Sequence, residues 1–304
     1  MVSDPPPLAA ADPPAHSPSL GLAEAISTLF PEGLPATVAS ACPGGPADER
    51  ARCLVRARFE GSPGDADRAL GMLERGGHVA GVEREWVMEG GFRGTIQIVP
   101  ELPVARHARH LEWVAAAMDD FSEFFEGLAA RAPRPLSYRW RALAFRFFRS
   151  VGRTTPSAYA SDWTVAYNVS GSLHRSADKV RETLFHELFH LNDQAHGDWT
   201  RSNLARPFDE IVARCGTNRA CLAPWAPSQT TVRGGTYYAF QPDNGEGFHE
   251  YGAELALRYY REQRTALNGR RVAGPFKCGP DPNRRVWSLL AQEFFGGADL
   301  VPDC

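Results

Sequence analysis

The segment His186-Glu187-Leu188-Phe189-His190 constrains the fold of this chain more than any other, because it lies inside a strong helical pattern. Ser176 precedes that pattern and suits the N-cap of a helix. Apolar residues recur at three- and four-residue spacing, as on the buried face of a helix: Val180, Leu184, Leu188 and Leu191. In such a helix His186 and His190 are about 40° apart around the axis and about 6 Å apart along it. Both imidazoles therefore lie on one face.

Two histidines on one helix face can bind a single Zn²⁺ ion at about 2 Å from each ring nitrogen. Glu187 follows the first histidine, where its carboxylate can take a proton from a water that the metal polarises. Ordinary core packing explains the apolar stripe but does not require this combination of polar residues. We therefore predict one catalytic zinc ion, with His186 and His190 as ligands and Glu187 as the general base.

The pattern His-Glu-x-x-His resembles the signature of the zincin metallopeptidases and is present here without departure. The resemblance implies an α+β fold with a mixed sheet, an active-site helix beneath it and a ligand helix downstream. It also implies hydrolysis of peptide bonds in a protein or peptide substrate. Zincins align extended substrate along an edge strand just before the metal helix, and residues 163–169 are the expected strand.

A catalytic zinc needs a third protein ligand, and His196 is one candidate. It lies six residues after His190, which is the spacing of the metzincin peptidases. Asp193, however, occupies the position where metzincins have a glycine that ends the helix. Gly197 is a more natural stop, which would leave His196 facing away from the metal. No methionine follows the motif to form the metzincin Met-turn.

The favoured third ligand is Glu250, in a segment with helical apolar spacing at residues 248–255. Glu250 and Glu254 share a helix face, so Glu250 can bind zinc while Glu254 accepts a hydrogen bond from the outer ring nitrogen of a ligating histidine. This arrangement resembles the gluzincins, and Glu-Tyr-Gly-Ala-Glu is most similar to their lethal-factor type. The resemblance covers only the two motif helices. An exposed helix with two solvated glutamates is the alternative.

Tyr238 is a candidate for stabilising the oxyanion of the reaction. Sites of the gluzincin type commonly place a tyrosine or histidine donor there, and Tyr238 lies shortly before the predicted ligand helix. A tyrosine that serves only the core or the surface is the simpler interpretation.

Six cysteines form three pairs of nearest neighbours in the sequence: Cys42 with Cys53, Cys215 with Cys221, and Cys278 with Cys304. No Cys-x-x-Cys pattern occurs. The pairing predicts three disulfides and hence a secreted or periplasmic protein, with buried free thiols as the alternative. Residues 1–20 lack the basic and apolar regions of a signal peptide, so we expect a mature or trimmed form.

The charge of the chain is nearly balanced, with 33 basic and 36 acidic residues. This balance gives no electrostatic footprint for a nucleic-acid partner. No stretch approaches the roughly 20 apolar residues of a membrane span. We therefore expect neither a nucleic-acid partner nor a membrane span, and the oligomeric state is left open.

Residues 1–45 are rich in proline and alanine and are expected to be flexible, whereas 46–304 are expected to form a zincin-like catalytic domain. Residues 54–148 are either an extension of its sheet or a separate α/β subdomain. Local patterns predict the following elements: strands at 54–59, 94–99 and 138–148, and helices at 65–75 and 103–130.

Two functions of different classes fit these features. The first is a zinc metalloendopeptidase, of gluzincin type with Glu250 or of metzincin type with His196. The second is a catalytically inactive zincin-like protein that binds a partner or serves a structural role and uses metal for stability. Glu187 favours the enzyme, because a purely structural metal site does not need that carboxylate.

Overall fold

The computed structural model describes residues 19–90, 94–232, 235–242 and 246–304. The helices within these ranges are α1 (Leu22–Leu29), α2 (Ala36–Ala41), α3 (Ala47–Arg58), α4 (Pro63–Gly76), α5 (Ala108–Ala129), α6 (Ala177–Ala195), α7 (Trp199–Cys215), α8 (Arg219–Leu222), α9 (Gly247–Leu267) and α10 (Asp281–Phe294). The strands are β1 (Val79–Val82), β2 (Trp86–Glu89), β3 (Thr95–Pro100), β4 (Ala144–Ser150), β5 (Ala158–Ser161) and β6 (Thr164–Asn168).

The strands form one mixed sheet around β4. One edge of β4 pairs in parallel with β6, whereas the other edge is shared end to end by β1, which is parallel, and β3, which is antiparallel. The hairpin strand β2 pairs with β3, and β5 pairs with β6, both antiparallel. The predicted α+β class is confirmed. The strands of the region 54–148 therefore belong to the same sheet as β6.

The prediction that residues 163–169 form an edge strand of the sheet is wrong. Strand β6, within the predicted stretch 163–169, lies in the interior between β4 and β5. Among the described strands, the short strand β5 pairs only with β6, and it packs against α6. Strand β5 comes from a stretch whose glycine and proline residues are typical of turns. Its four residues are too few to show the alternation of apolar and polar side chains that predicts a strand.

Two other predicted strands need correction. Residues 54–58, predicted to be extended, belong to α3, whose buried residues Ala51, Leu54 and Val55 have helical spacing. A six-residue window was too short to separate the two periods. Strand β4 begins at Ala144 rather than at residue 138, because Tyr138 instead stacks on Phe125 of α5. The predicted helix at 65–75 is confirmed as α4. The helix predicted at 103–130 is confirmed as α5, which begins at Ala108 rather than at residue 103.

The N-terminal segment is not uniformly flexible as expected. Residues 1–18 of that segment lie outside the described ranges. Within the remainder, α1 packs against β1, and Leu29 is fully buried in the core. The apolar residues of α1 outweigh the proline-rich composition around it.

Aromatic packing places α6 between α5 and α9. Phe185 of α6 stacks on Tyr260 of α9, with ring centroids 4.3 Å apart, and meets Phe121 of α5 edge-to-face at 5.4 Å. Such pairs add roughly 0.5–1.5 kcal/mol beyond the burial of their area. Because Phe185 immediately precedes His186, this packing fixes the orientation of the motif helix.

The three predicted disulfides are confirmed: Cys42–Cys53, Cys215–Cys221 and Cys278–Cys304. Disulfides are compatible with an oxidising compartment such as the periplasm or the cell exterior. Among the described helices, none is long and apolar enough to cross a membrane.

Two buried histidines join α5 to the loop that leads into α6. The ring of His174 stacks on Tyr167 of β6 at 3.9 Å, and the Tyr167 hydroxyl lies 2.9 Å from Nδ1 of His110 on α5. Burial lowers the pKa of both histidines to about 4. Both rings are therefore uncharged in the folded protein at neutral pH.

This burial predicts a loss of stability in weak acid. The unfolded chain takes up protons on histidine near pH 6.5, whereas folded His174 does so near pH 4. The free energy of unfolding should therefore fall as the pH drops through that window. Urea denaturation at pH 7 and pH 4.5 should show this fall, and His174→Phe, which retains a ring to stack on Tyr167, should reduce it. An unchanged pH dependence in the variant would contradict this explanation.

Candidate metal centre

Helix α6 begins where the sequence predicts. Ser176 is its N-cap, and the Ser176 hydroxyl oxygen accepts a hydrogen bond from the Lys179 backbone N–H at 3.3 Å. The helix continues to Ala195, so its last turns carry both motif histidines. His186 and Glu187 are both buried, and His186 contacts Glu254 of α9.

Helix α9 places Glu250 in its first turn and Glu254 one turn later. Close packing against α6 and α7 depends on Gly252, between the two glutamates. A Cβ at Gly252 would lie 2.4 Å from the Thr200 methyl group and 3.2 Å from the Phe189 ring. The glycine therefore permits an approach of the helices that a larger residue would obstruct.

Three side chains from these helices converge to form what we call the His/Glu cluster: His186, His190 and Glu250. Nε2 of His186 lies 3.1 Å from Nε2 of His190 and 3.1 Å from Oε2 of Glu250. Nε2 of His190 lies 3.9 Å from the same Glu250 oxygen. Of the two alternative third ligands, the structure brings Glu250 to the histidines.

The donor atoms of the His/Glu cluster fit a zinc ion. Ligand atoms around a tetrahedral Zn²⁺ are about 3.3 Å apart. Two separations in the cluster, both 3.1 Å, are close to this value, and the third, 3.9 Å between His190 and Glu250, is longer. Oε2 of Glu250 is inaccessible to solvent and makes no well-aligned hydrogen bond. Two imidazoles and one carboxylate form a donor set found in catalytic zinc sites, where a fourth position is left for water.

Electrostatics of the cluster also favour a cation. Burial lowers the pKa of His186, but contacts with Glu250 and Glu254 outweigh burial and raise the pKa well above its usual value. Burial would raise the pKa of Glu250, yet contact with His186 and the charges of both histidines hold it at about 2. Burial and the His186 charge lower the pKa of His190 to about 4. The carboxylates of Glu250 and Glu254 thus stabilise positive charge between α6 and α9.

Glu254 supports His186 from the side opposite the cluster. One of its carboxylate oxygens lies 3.1 Å from Nδ1 of His186, and the side chain is buried. A carboxylate in this position fixes the ring orientation and leaves Nε2 free for a metal. The structure therefore places Glu254 where the sequence predicts it.

Glu187 lies beside the cluster without joining it. Its side chain is buried, and burial raises its pKa to about 7, with a smaller lowering effect from the charge of His186 and a raising effect from that of Glu250. A carboxyl group that titrates near neutrality is suited to both accepting and donating a proton. This is the environment expected of a general base.

Tyr238 borders the site from a 3₁₀ turn, Tyr238–Phe240, that precedes α9. Its ring centroid is 5.9 Å from that of His186. Its hydroxyl lies within hydrogen-bonding reach of the Glu250 carboxylate and contributes to the low pKa of that group. The tyrosine is therefore next to the cluster, as the sequence-based hypothesis requires.

His196 lies apart from the cluster. It caps the C-terminal end of α6, and its two ring nitrogens lie 2.8 Å from a Glu293 carboxylate oxygen and 3.0 Å from the Ser137 carbonyl oxygen. Asp193 is helical rather than a turn residue, so the chain does not reverse after it. The structure therefore does not bring His196 to the metal ligands.

A second group of potential ligands was missed in the sequence: Asp193, Asp198 and His249. In the sequence, Asp193 stands where a metzincin has a glycine, and His249 directly precedes the predicted ligand Glu250. Adjacency of this kind is common by chance and does not by itself indicate a ligand.

Comparisons with protein-family models, with curated proteins and with solved structures found no match to this chain. The functional argument therefore depends on the chemistry of the site.

The close approach at Gly252 predicts a sensitive position. Gly252→Ala should destabilise the protein by about 1–3 kcal/mol, because the added methyl group displaces α9 or Thr200. It should also weaken zinc binding by moving Glu250. Thermal unfolding and zinc titration would measure both effects.

Gly127→Ala in α5 is the matched control. A Cβ there makes only ordinary contact with Leu267, at 3.5 Å. It should leave zinc binding unchanged and raise stability by roughly 0.5–1 kcal/mol, because alanine favours a helix. Equal effects of the two substitutions would refute the steric argument.

Proposed function

We propose that this protein is a zinc-dependent metalloendopeptidase of gluzincin type. His186, His190 and Glu250 would hold one Zn²⁺ ion, and Glu187 would act as general base on a water molecule that attacks a peptide carbonyl. When bound, the ion would act as a Lewis acid that polarises water and the carbonyl group. The proposal depends above all on one observation, the convergence of three ligand atoms from two helices beside a buried Glu187.

Each residue near the cluster has a role in this reaction. Glu187, with a pKa near 7, would accept a proton from the attacking water and pass it to the leaving amine. Glu254 would hold the His186 ring through Nδ1. Tyr238 would donate a hydrogen bond to the developing oxyanion. A protein or peptide chain is the substrate class that this chemistry serves.

The alternative is an inactive zincin-like protein that uses metal for stability. It requires the ligands and Glu254 but gives no role to Glu187. A buried carboxyl group costs free energy unless it is paired or used. The burial of Glu187 against the cluster therefore favours an enzyme over a structural site.

Parallel substitutions test the assignment. Glu187→Gln should retain the fold and zinc but lower hydrolysis of a fluorescent unfolded protein by about 10²- to 10⁴-fold. Glu250→Ala should lose zinc, because the third ligand is gone. Zinc content, circular dichroism and peptide hydrolysis would be measured for each variant, and a chelator followed by added zinc should abolish and restore wild-type activity.

His196→Ala serves as the control, since His196 binds Glu293 and Ser137 away from the cluster. It should retain zinc and activity. Loss of zinc in this variant, with retention in Glu250→Ala, would overturn the ligand assignment. Full activity of Glu187→Gln would overturn the catalytic role.

The tyrosine makes a separate prediction. Tyr238→Phe removes the hydroxyl but leaves the ring beside His186, so zinc should stay bound and substrate KM should change little. The value of kcat should fall by about 10-fold or more if the hydroxyl stabilises the transition state. An unchanged kcat would assign Tyr238 to packing alone.

A further inference from the structure

Asp193, Thr200 and His249 form a polar network one helical turn from the His/Glu cluster, and we refer to it as the Asp193 network. Asp193 and Thr200 are 3% and 0% exposed. Nothing in the proposed catalytic chemistry uses them. Burying a carboxylate at this position costs free energy unless hydrogen bonds satisfy it.

The network joins three helices. Asp193 of α6 accepts hydrogen bonds from the backbone N–H and the hydroxyl of Thr200 in α7, at 2.7 and 2.5 Å. Nδ1 of His249 in α9 lies 2.7 Å from the Thr200 hydroxyl oxygen and 3.1 Å from Oδ2 of Asp193. The Thr200 hydroxyl is thus the centre through which α6, α7 and α9 meet.

The start of α9 needs such an anchor. Its N-cap residue, Glu246, makes no side-chain capping hydrogen bond. Glu250 lies in this first turn. The Asp193 network therefore provides a link from the first turn of α9 to the motif helix.

The two links run side by side. His249 and Glu250 are adjacent on α9, while His190 and Asp193 are three residues apart on α6. One link joins Glu250 to the metal-binding histidines, and the other joins His249 to Asp193 through Thr200. The second link does not involve the metal, so it can hold Glu250 at the histidines before an ion binds.

We propose that the Asp193 network is a positioning device that preorganises Glu250 as the third metal ligand and thereby sets the metal affinity. This inference depends on the proposed metal site. It also gives a reason for an aspartate at a helical position where a metzincin would have glycine. Removing the network should weaken zinc binding while leaving all three ligands present.

A second cation site is a poorer interpretation of the same residues. The backbone N–H and the hydroxyl of Thr200 already donate hydrogen bonds to the Asp193 carboxylate. Arg201 donates to Asp198 at 2.7 Å and also pairs with Glu246, so the exposed side of the group already carries a positive charge. Hydrogen bonds, rather than an ion, satisfy the Asp193 carboxylate.

The decisive comparison is Thr200→Val against Thr200→Ser in the full chain. Valine retains the shape of threonine but removes the hydroxyl, whereas serine retains the hydroxyl and removes the methyl group beside Gly252. Zinc affinity would be measured by competition with a chromogenic chelator. Substitution with Co²⁺ would report the coordination of the ion through its visible absorption spectrum.

Thr200→Val should weaken zinc binding by about 10- to 100-fold, the size of the loss seen when a metal ligand is no longer held in position. It should also alter the Co²⁺ spectrum. Thr200→Ser should restore both to near the wild-type values. His249→Ala, at a half-exposed position, provides the same test if the buried valine prevents folding, and Arg206→Ala, which removes an exposed pair with Glu210 within α7, is its control.

Wild-type zinc affinity in Thr200→Val or His249→Ala would overturn the inference, as would a greater loss in Thr200→Ser than in Thr200→Val. Binding of two zinc ions by the wild type, one of them lost with His249, would assign the network to a second ion instead. If the wild type binds no zinc, the proposed function fails as well. Normal wild-type binding that these variants leave unchanged removes only the positioning role.

Discussion

The buried contact between the imidazoles of α6 and the carboxylates of α9 is the interaction on which the rest of this structure depends. Charged groups between two helices lose several kcal/mol of hydration each unless partners replace the water. His186 meets this requirement on both sides, with Glu250 3.1 Å from Nε2 and Glu254 3.1 Å from Nδ1. These distances require the two helix axes to approach closely and to keep a fixed register.

Several features of the fold maintain that approach. Gly252 removes the side chain that would separate α9 from Thr200 and Phe189. The stack of Phe185 on Tyr260 fixes the register one residue away from His186. Strand β5 of the sheet packs against α6. Its residues lie in a stretch whose composition is typical of turns. Apolar packing thus brings the polar groups of the two helices together.

Local features of the chain were predicted well. The N-cap at Ser176, the helices α4 and α5 and the three disulfides all follow from residues close together in the sequence. Residues 54–58 show where local reasoning failed, because a short apolar run fits a strand and a helix equally well. The order of strands in the sheet could not be predicted from local patterns either, because long-range packing decides which strands pair.

The sequence by itself determined the chemistry of each helix: two histidines on one face of α6 with a glutamate beside them, and two glutamates on one face of α9, because an α-helix repeats every 3.6 residues. Only the tertiary structure decided that Glu250 meets the histidines while His196 binds Glu293, and that Asp193 joins α6 to α7 and α9. The reason is physical. Spacing along one helix is set by backbone geometry, whereas the distance between helices is set by the packing of side chains far apart in the sequence.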